Sequence, residues 1–400
     1  MRVATVLLTT ALAAASLLVG CGGAEVKKEI VVGEYGSLTG PEATFGISTR
    51  NGVDLATEEV NAKGGIGGVP VRVTVQDDQG KPDVTALVVN KLLSSDRPVA
   101  LLGEVASTLS LTAAPLAQNA GVPMISPSST NPKVTETGDY IFRVCFIDPF
   151  QGTAAAKFAY NTKNVRKVAI MRDVASDYSK GLSKYFSETF TQLGGAVVAE
   201  ESYNKDDNDF KAQLTNIVAV APDAIFVPGY YTNAGLIAKQ ARDLGYTGIL
   251  LGGDGWDSAE LVKSSEGKIV GSYFTNHYSV DDPNPIVQSF IKTYEAKYGA
   301  KPDGLAALGY DAARVLYAAM EESAKDPQIL AGLSDRSAVP ATEEKRKAAR
   351  AALRDQLAKT TNFPGVTGMI TIDADRNASK PAVVVEVTAD GTKFVESIAP

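Results

Sequence analysis

The sequence predicts an α/β protein with two doubly wound parallel sheets. Short apolar runs alternate with amphipathic stretches of helical period from residue 30 to about residue 130, and the alternation restarts near residue 168. This order is typical of a parallel sheet that carries helices on both faces. Small and hydroxyl-bearing residues follow several of the predicted strands. Because ligands bind beyond the carboxyl ends of parallel strands, we expect a ligand site there.

The composition is that of an ordinary globular protein, long enough for two or three domains. Of the 400 residues, 44% are apolar and 21% are charged, and the net charge is −7. This balance gives no basic surface for nucleic acid. The glycine-rich run KGGIGG at residues 63–68 follows a predicted helix and precedes a strand, which is the reverse of a phosphate-binding loop. We predict no cofactor and no metal, since no Cys/His cluster is present.

Residues 1–20 are predicted to be a signal peptide. Arg2 is the only charge in this stretch, and an almost entirely apolar run of small residues follows it. The run ends in Leu-Val-Gly-Cys, which resembles the bacterial lipobox, so we expect Cys21 to be the acylated first residue of the mature chain. Residues 21–28 are then a tether. The alternative is an uncleaved membrane anchor, because the run is near the minimum length for a membrane span.

The first α/β unit contains four predicted strands separated by helices. A helix is expected where apolar residues recur three and four positions apart. The carboxylates Asp77 and Asp78 stand at the end of the second strand, where neighbouring side chains point to opposite sides, and we interpret them as a solvated loop. The strands are predicted to begin at residues 30, 69, 99 and 122, and the helices at residues 50, 82 and 107.

Hydroxyl groups gather at two strand ends of this unit. Ser107 begins a predicted helix, where free backbone N–H groups and the helix dipole favour an anion. Ser128 and Thr130 follow the next strand. Together these residues predict a site for a small anion such as a carboxylate. The alternative is that they are only cap and turn residues, a common role for Ser and Thr.

A second α/β unit follows a crossing near residues 140–147. The chain then crosses back near residues 269–275, adds three helices and ends in three strands. Two α/β units that are joined by more than one crossing are expected to form a hinged cleft. The strand ends of both units would line this cleft. The predicted elements are strands at 168–171, 197–203, 224–227, 248–251, 369–372, 383–387 and 394–398, and helices at 178–193, 210–220, 232–244, 286–298, 305–324 and 342–359.

Six motifs, taken in order, resemble those of a known family. They are SLTGPEATFG, NGVDLATEEVNAKGGIGG, QDDQGKPD, GVPMISPSSTNP, PGYYTNAG and LGGDGWDS. The set resembles the periplasmic solute-binding proteins of branched-chain amino acid transporters, over nearly all of residues 29–400. The resemblance implies two Rossmann-like, doubly wound lobes joined by three crossovers, the type I periplasmic binding protein fold that closes like a flytrap. It places residues 29–145 and 280–365 in lobe 1, and residues 146–279 and 366–400 in lobe 2.

The resemblance also implies ligand-binding roles. The first lobe is expected to hold the carboxylate of an amino acid through hydroxyls, and the second lobe its ammonium through a carboxylate and a tyrosine. A zwitterion needs donors on one side and a carboxylate on the other, both of them dry when the cleft closes. The implied residues are Ser107, Ser128 and Thr130 in the first lobe, Tyr230 and Asp254 in the second, Tyr178 near the ligand, and Phe45 as an aromatic wall.

Three departures from the family pattern leave the ligand's side chain open. The best-known amino acid binders of the family carry Glu where Asp254 stands, and they have a first-lobe disulfide that this chain lacks. Leu305 occupies the place of an aromatic residue that some members use. Relatives with this overall pattern bind amides, urea-like compounds or aromatic acids.

The expected function is capture of an amino acid, branched-chain or otherwise apolar, and its delivery to the permease and ATPase subunits of an ABC transporter. The expected location is the periplasm, as a lipoprotein anchored to the membrane. A first alternative is an extracellular hydrolase, against which His277 is the only histidine and no G-x-S-x-G motif is present. A second alternative is a sensor that reports to a separate receptor. No nucleic-acid partner is expected.

Overall fold

A computed structural model describes residues 28–337 and 339–400 of the chain. The predicted signal peptide, the lipidation site at Cys21 and most of the 21–28 tether lie outside the described residues. Within the described ranges, no helix is long and apolar enough to cross a bilayer.

The first lobe contains a five-stranded, fully parallel sheet in the order β2-β1-β3-β4-β5. Every residue of β1, which lies between β2 and β3, is buried, because other parts of the protein cover both faces of the sheet. The strands are β1 (Ile30–Gly36), β2 (Val71–Asp77), β3 (Ala100–Leu102), β4 (Met124–Ser126) and β5 (Ile141–Arg143), and the helices are α1 (Ala43–Ala62), α2 (Pro82–Lys91), α3 (Ser107–Asn119) and α4 (Lys133–Glu136).

The second lobe starts after the first crossover and again alternates helix and strand. Its helices are α5 (Asp148–Lys157), α6 (Asp177–Gln192), α7 (Lys211–Ala219), α8 (Tyr231–Asp243) and α9 (Glu260–Ser264). Its strands are β6 (Lys167–Asp173), β7 (Ala196–Tyr203), β8 (Ala224–Phe226), β9 (Ile249–Gly252) and β10 (Tyr273–Asn276). These five strands are parallel to one another.

The chain then returns to the first lobe and crosses once more to the second. The returning helices are α10 (Pro285–Tyr298), α11 (Gly304–Ser323), α12 (Pro327–Ser334) and α13 (Pro340–Leu357), and the last strands are β11 (Phe363–Gly365), β12 (Gly368–Ile372), β13 (Ala378–Ser379), β14 (Ala382–Thr388) and β15 (Gly391–Ile398). The second-lobe sheet has the order β15-β14-β10-β9-β8-β6-β7, with β14 and β15 antiparallel to their neighbours. The architecture is thus two doubly wound lobes joined by three crossovers.

Helices α1 and α11 attach the returning segment to the first lobe by close backbone contact. A Cβ atom on Gly52 would lie 2.1 Å from the Ala306 carbonyl oxygen, and one on Gly309 would lie 2.4 Å from the Thr49 carbonyl oxygen. Any side chain at either glycine would therefore push the two helices apart. This packing fixes the N-terminal end of α11, and with it Leu305, against the first lobe.

Several details differ from the sequence predictions. Asp78 is fully buried and accepts a hydrogen bond from the Ser37 hydroxyl, so its interpretation as part of a solvated loop is wrong. Helix α12 (Pro327–Ser334) lies between the predicted helices at 305–324 and 342–359, where no helix is predicted. Strands β11 to β13 form a sheet of their own. The predicted lobe boundary at residue 365 falls in this small sheet and stays a prediction.

Candidate binding site between the lobes

The strand ends of the two lobes face each other across a narrow cleft. The cavity inside it has a volume of about 10 Å³, which is room for little more than one water molecule. Five of the seven predicted ligand-binding residues line it. The lining residues are Phe45, Val105, Ser128 and Leu305 from the first lobe and Tyr178, Tyr230, Asp254 and Gly255 from the second.

Asp254 begins a short 3-10 turn just after β9 and is 5% exposed. Its Oδ1 accepts hydrogen bonds from the Tyr178 hydroxyl at 2.9 Å and from Gln151 Nε2 at 2.8 Å. Its Oδ2 lies 3.0 Å from Nε2 of His277. Three side chains from different elements therefore fix the orientation of this carboxylate.

His277 is buried in the second crossover and stacks on Phe146 with a ring-centroid distance of 3.6 Å. Burial lowers the pKa of His277 to about 4, and the hydrogen bond to Asp254 opposes this only in part. The ring is thus neutral near pH 7. Because a carboxylate only accepts hydrogen bonds, Nε2 carries the proton in this contact.

A cluster of aromatic side chains lies between the lobes next to Asp254. Tyr178 and Tyr230 stack with a centroid distance of 5.3 Å and nearly parallel planes. Phe45 of the first lobe meets the edge of Tyr230 at 5.4 Å and that of Tyr231 at 5.0 Å. Phe45 therefore contacts two second-lobe rings, Tyr230 and Tyr231, and its predicted role as an aromatic wall for the ligand stays a prediction.

The predicted hydroxyl groups lie together on the first-lobe side. Ser107 is the first residue of α3, and its Oγ accepts a hydrogen bond from the Asn131 backbone N–H at 3.3 Å. Thr130 is next to Asn131 and is 1% exposed. The Ser128 hydroxyl is buried and has no hydrogen-bond partner among residues 28–337 and 339–400. Only Ser128 of the three lines the cavity itself.

A buried framework holds these loops in place. The Ser129 hydroxyl contacts the carbonyl oxygens of Glu104 and Val105 at 2.9 and 3.0 Å. The guanidinium of Arg143, which is fully buried at the end of β5, donates to the carbonyl oxygens of Ser129 and Asn131. The backbone carbonyl oxygens of Glu104, Val105, Ser129 and Asn131 therefore accept hydrogen bonds from buried side chains of the protein.

Asp148 lies behind the cleft at the start of α5 and is fully buried. Burial raises its pKa to about 8; the Thr130 hydroxyl and Arg143 oppose the rise, and Asp254 adds to it. Asp148 therefore carries a proton at neutral pH. It adds no second negative charge beside Asp254.

Direct contacts close the rim of the cleft. Lys205 of the second lobe forms a salt bridge with Glu42 of the first at 2.7 Å. The Tyr231 hydroxyl donates to the Pro41 carbonyl oxygen at 2.8 Å. On the other side, the Asp177 backbone N–H donates to the Thr108 hydroxyl at 3.0 Å. The described conformation is therefore a closed one.

Gln151 and His277 were missed as site residues. Gln151 stands on α5 and His277 in the second crossover, so only the tertiary fold brings them to Asp254. The signal available in the sequence was that His277 is the only histidine and follows a strand. In the described part of the chain, no group of three or more His, Cys, Asp or Glu residues is arranged to hold a metal ion.

Comparison with known families agrees with this architecture. Residues 29–392 match the family of periplasmic binding proteins. The chain belongs to this family. Its members are substrate-binding proteins that act outside the cytoplasm, and the family is one of transport proteins rather than enzymes.

Two relatives are similar to this chain over most of their length. A Leu/Ile/Val-binding protein, BraC3 of Rhizobium johnstonii, is 31% identical over 316 residues, which is 78% of this chain and 85% of the relative. An amino acid binding protein of Pseudomonas aeruginosa is 29% identical over 306 residues, or 75% of this chain and 80% of the relative.

Two solved structures are similar in both sequence and fold. The leucine binding protein LivK of Thermotoga maritima is 37% identical with a TM-score of 0.84, and the match covers 93% of this chain and 99% of LivK. LivJ of Streptococcus pneumoniae, solved with isoleucine, is 32% identical with a TM-score of 0.83, and the match covers 93% of this chain and all of LivJ.

Proposed function

We propose that this protein captures an amino acid with an apolar side chain in the cleft between its lobes and delivers it to an ABC permease. The observation that carries the proposal is the pairing of a fixed carboxylate, Asp254, with a hydroxyl-lined helix start on the opposite lobe. The relatives BraC3, LivK and LivJ, which bind or are named for branched-chain amino acids, support this ligand class.

The first lobe is suited to the carboxylate of the ligand. Ser107 stands at the N-terminus of the 13-residue helix α3, where free N–H groups and the helix dipole stabilise an anion. The Ser128 hydroxyl is free to donate, and Thr130 adds a second hydroxyl beside it. These donors are buried, so each hydrogen bond to a carboxylate is stronger than it would be in water.

The second lobe is suited to the ammonium. Asp254 supplies the negative charge, while Tyr178 and Tyr230 provide aromatic faces that attract a cation. Gln151 and His277 position Asp254, and neither adds a positive charge near pH 7. Ligand contacts on both lobes favour the closed form, which is the form a permease would distinguish from the open one.

A second candidate ligand class is an amide, a urea-like compound or an aromatic acid. One observation favours it: Asp254 already has hydrogen-bonding partners on both carboxylate oxygens, so an incoming ammonium must share them. A ligand without an amine avoids this competition. In that case the transport role stays and Asp254 has a purely structural role.

The proposal includes a lipid anchor and excludes catalysis. Acylation of Cys21 would tether the lobes to the membrane through residues 21–28. Among the described residues that line the cavity there is no nucleophile–base pair, and His277 engages Asp254 and is buried with a lowered pKa. The ligand is therefore bound and released unchanged. A sensor that reports to a receptor would use the same cleft, and association with permease subunits distinguishes the two roles.

A thermal-shift screen of the purified protein tests the ligand class. The panel contains the twenty amino acids, small amides and aromatic acids, and any compound that binds only the folded state raises Tm. We expect the largest rise, several degrees at a concentration of about 100 Kd, with an apolar amino acid. A rise only with compounds that lack an amine would contradict the proposed role of Asp254.

A further inference from the structure

A large cavity lies at the junction of the two lobes, outside the cleft that contains Asp254. Its volume is about 650 Å³, and it shares no lining residue with the cavity of the cleft. The second lobe lines it with the turn after β9, with α9 and with the hairpin between β14 and β15, and the first lobe lines it with the loop between α10 and α11. We call it the junction cavity.

Most of the surface that lines the junction cavity is apolar. Trp256 and Phe274 form part of its wall, with ring centroids 6.2 Å apart. Leu261, Pro302 and Val387 add aliphatic carbon to this wall. A ligand with an apolar body of several carbon atoms would therefore gain free energy by leaving water for this cavity.

Asp257 brings a carboxylate to the junction cavity that the protein only partly satisfies. The residue is 8% exposed, and its Oδ2 accepts hydrogen bonds from the Gly304 backbone N–H at 2.6 Å and from Asn276 Nδ2 at 2.8 Å. In the described part of the chain, no group donates to its other oxygen, Oδ1. Because a buried charged oxygen without a donor is costly, a donor supplied by a ligand would be stabilising here.

Asp303 adds a second carboxylate from the opposite lobe. Burial and, after it, the charge of Asp257 raise the pKa of Asp303 to about 7, so the two carboxylates are near each other. Neither forms a salt bridge with any residue that the structure describes, and the two lysines of the lining, Lys263 and Lys301, are exposed. Lys263 pairs with Glu260 at 2.6 Å instead. Neighbouring buried carboxylates that the protein leaves without a counter-ion favour a cation from outside.

We propose that the junction cavity is a second binding site of this protein, and that it takes an organic ammonium ion with an apolar body. The ammonium donates to Oδ1 of Asp257 and pairs in charge with Asp303, while the apolar body lies against Trp256 and Phe274. An inorganic cation would leave the apolar wall without a contact. The inference does not depend on the ligand of the cleft, because the two cavities have no lining residue in common.

Isothermal titration calorimetry with three small probes tests the site. The probes are n-hexylammonium, 1-hexanol, which has the chain without the charge, and methylammonium, which has the charge without the chain. The titrations are made at pH 8, where Asp303 is mostly ionised. Asp303→Asn removes one charge and keeps the N-cap of α11, because Asn caps a helix as well as Asp does. Asp326→Asn is the matched control, since Asp326 caps α12 in the same way and does not line the cavity.

For the wild type we expect n-hexylammonium to bind at least tenfold more tightly than 1-hexanol or methylammonium, because each buried methylene strengthens binding about fourfold and the charge adds to this. Asp303→Asn and a second variant, Asp257→Asn, should each raise Kd for n-hexylammonium at least tenfold. Asp326→Asn should leave it within twofold.

Three outcomes overturn the site. They are no binding of n-hexylammonium by the wild type, equal binding of n-hexylammonium and 1-hexanol, and an unchanged Kd for n-hexylammonium in both Asp303→Asn and Asp257→Asn. Loss of binding in Asp254→Asn without loss in Asp303→Asn would place the ion in the cleft and also overturn the site. None of these outcomes affects the proposed function, because no amino acid takes part in the titrations.

Discussion

The two walls of the cleft are built in different ways. On the first-lobe side, the loops are held by groups that do not face the cavity, such as Arg143 and Ser129, and the Ser128 hydroxyl is left without a protein partner in the described structure. On the second-lobe side, Asp254 is itself the centre of a hydrogen-bonded group with Tyr178, Gln151 and His277.

This difference indicates two ways of preparing a binding group. In the first-lobe wall, the residues that hold the loops in place differ from the residue that would bind the ligand. A ligand therefore meets a free hydroxyl and needs to displace only water. The second-lobe wall fixes its carboxylate with the same oxygens that a ligand would use. Binding at Asp254 therefore exchanges or shares existing hydrogen bonds, and its net gain comes from pairing of charges in a buried site.

Substitution of Arg143, which holds the loops of the first-lobe wall, should give the largest loss of stability. Arg143→Met leaves several buried carbonyl groups without their donor, at a cost of about 1–3 kcal/mol for each. We expect the free energy of unfolding to fall by about 3 kcal/mol or more in urea denaturation. Arg172→Met is the matched control, because Arg172 forms an exposed salt bridge with Glu200, and it should cost less than about 1 kcal/mol. Equal losses in the two variants would contradict the account.

Asp148, buried at the start of α5, should make stability depend on pH. Its pKa is about 8 in the folded protein and about 4 in the unfolded chain, so the folded state holds an extra proton between these values. Stability from this group therefore falls as pH rises from about 4 to about 8. Asp148→Asn removes the titration, and we expect it to be more stable than the wild type by about 2 kcal/mol or more at pH 8 but not at pH 4. A difference that is constant with pH would contradict the raised pKa.

Substitutions of the neighbours Ser128 and Ser129 compare a hydroxyl that would bind the ligand with a hydroxyl that holds the loops in place. Ser129→Ala removes hydrogen bonds to two backbone carbonyls, so we expect Tm to fall by several degrees. Ser128→Ala removes a hydroxyl that has no partner in the described protein, so Tm should not fall while Kd for the ligand rises about tenfold. Calorimetry and titration of both variants check this pair. If Ser128→Ala lowered Tm and Ser129→Ala raised only Kd, then Ser128 would be the structural residue and Ser129 the ligand-binding one, contrary to the account.

The rim of the cleft should give the smallest effect. Lys205→Met breaks the salt bridge between the lobes, in which the Lys205 side chain is 31% exposed and that of Glu42 is 5% exposed. We expect the dissociation rate of the ligand to rise about threefold at low ionic strength. At high salt, where the wild-type salt bridge is screened, the two proteins should release the ligand at similar rates. Stopped-flow displacement measures both rates. A difference between the two proteins that does not depend on salt would contradict the idea that the salt bridge slows dissociation of the ligand.

The fold could be predicted from the sequence because both lobes repeat the same local pattern. Apolar runs such as β1 are buried on both faces, and the strand ends carry the small and hydroxyl residues that mark a site. The predicted residues Phe45, Ser128 and Asp254 meet at one cavity for this reason. Their order in the motifs was sufficient to place them at strand ends and helix starts.

The partners of these residues could not be predicted in the same way. Gln151 on α5 and His277 in the second crossover reach Asp254 only because segments distant in sequence meet in the folded protein. Asp78 was interpreted as part of a solvated loop because it stands beside Asp77 at a strand end, but it is buried and accepts a hydrogen bond from Ser37. Local pattern gives the face on which a residue lies, whereas burial of a polar group depends on distant segments.

The most direct test of the account is whether Asp254 recognises the amine of the ligand. Calorimetric titration compares leucine with 4-methylpentanoic acid, which has the same carbon chain and carboxylate but no amine. We expect Asp254→Asn to raise Kd for leucine about 100-fold or more, as loss of one partner of a buried charge pair should, and to change Kd for the acid by less than about threefold. Asp390→Asn, at an exposed hairpin turn, should leave both unchanged. Unchanged leucine binding in Asp254→Asn, or equal losses for both ligands, would contradict the account.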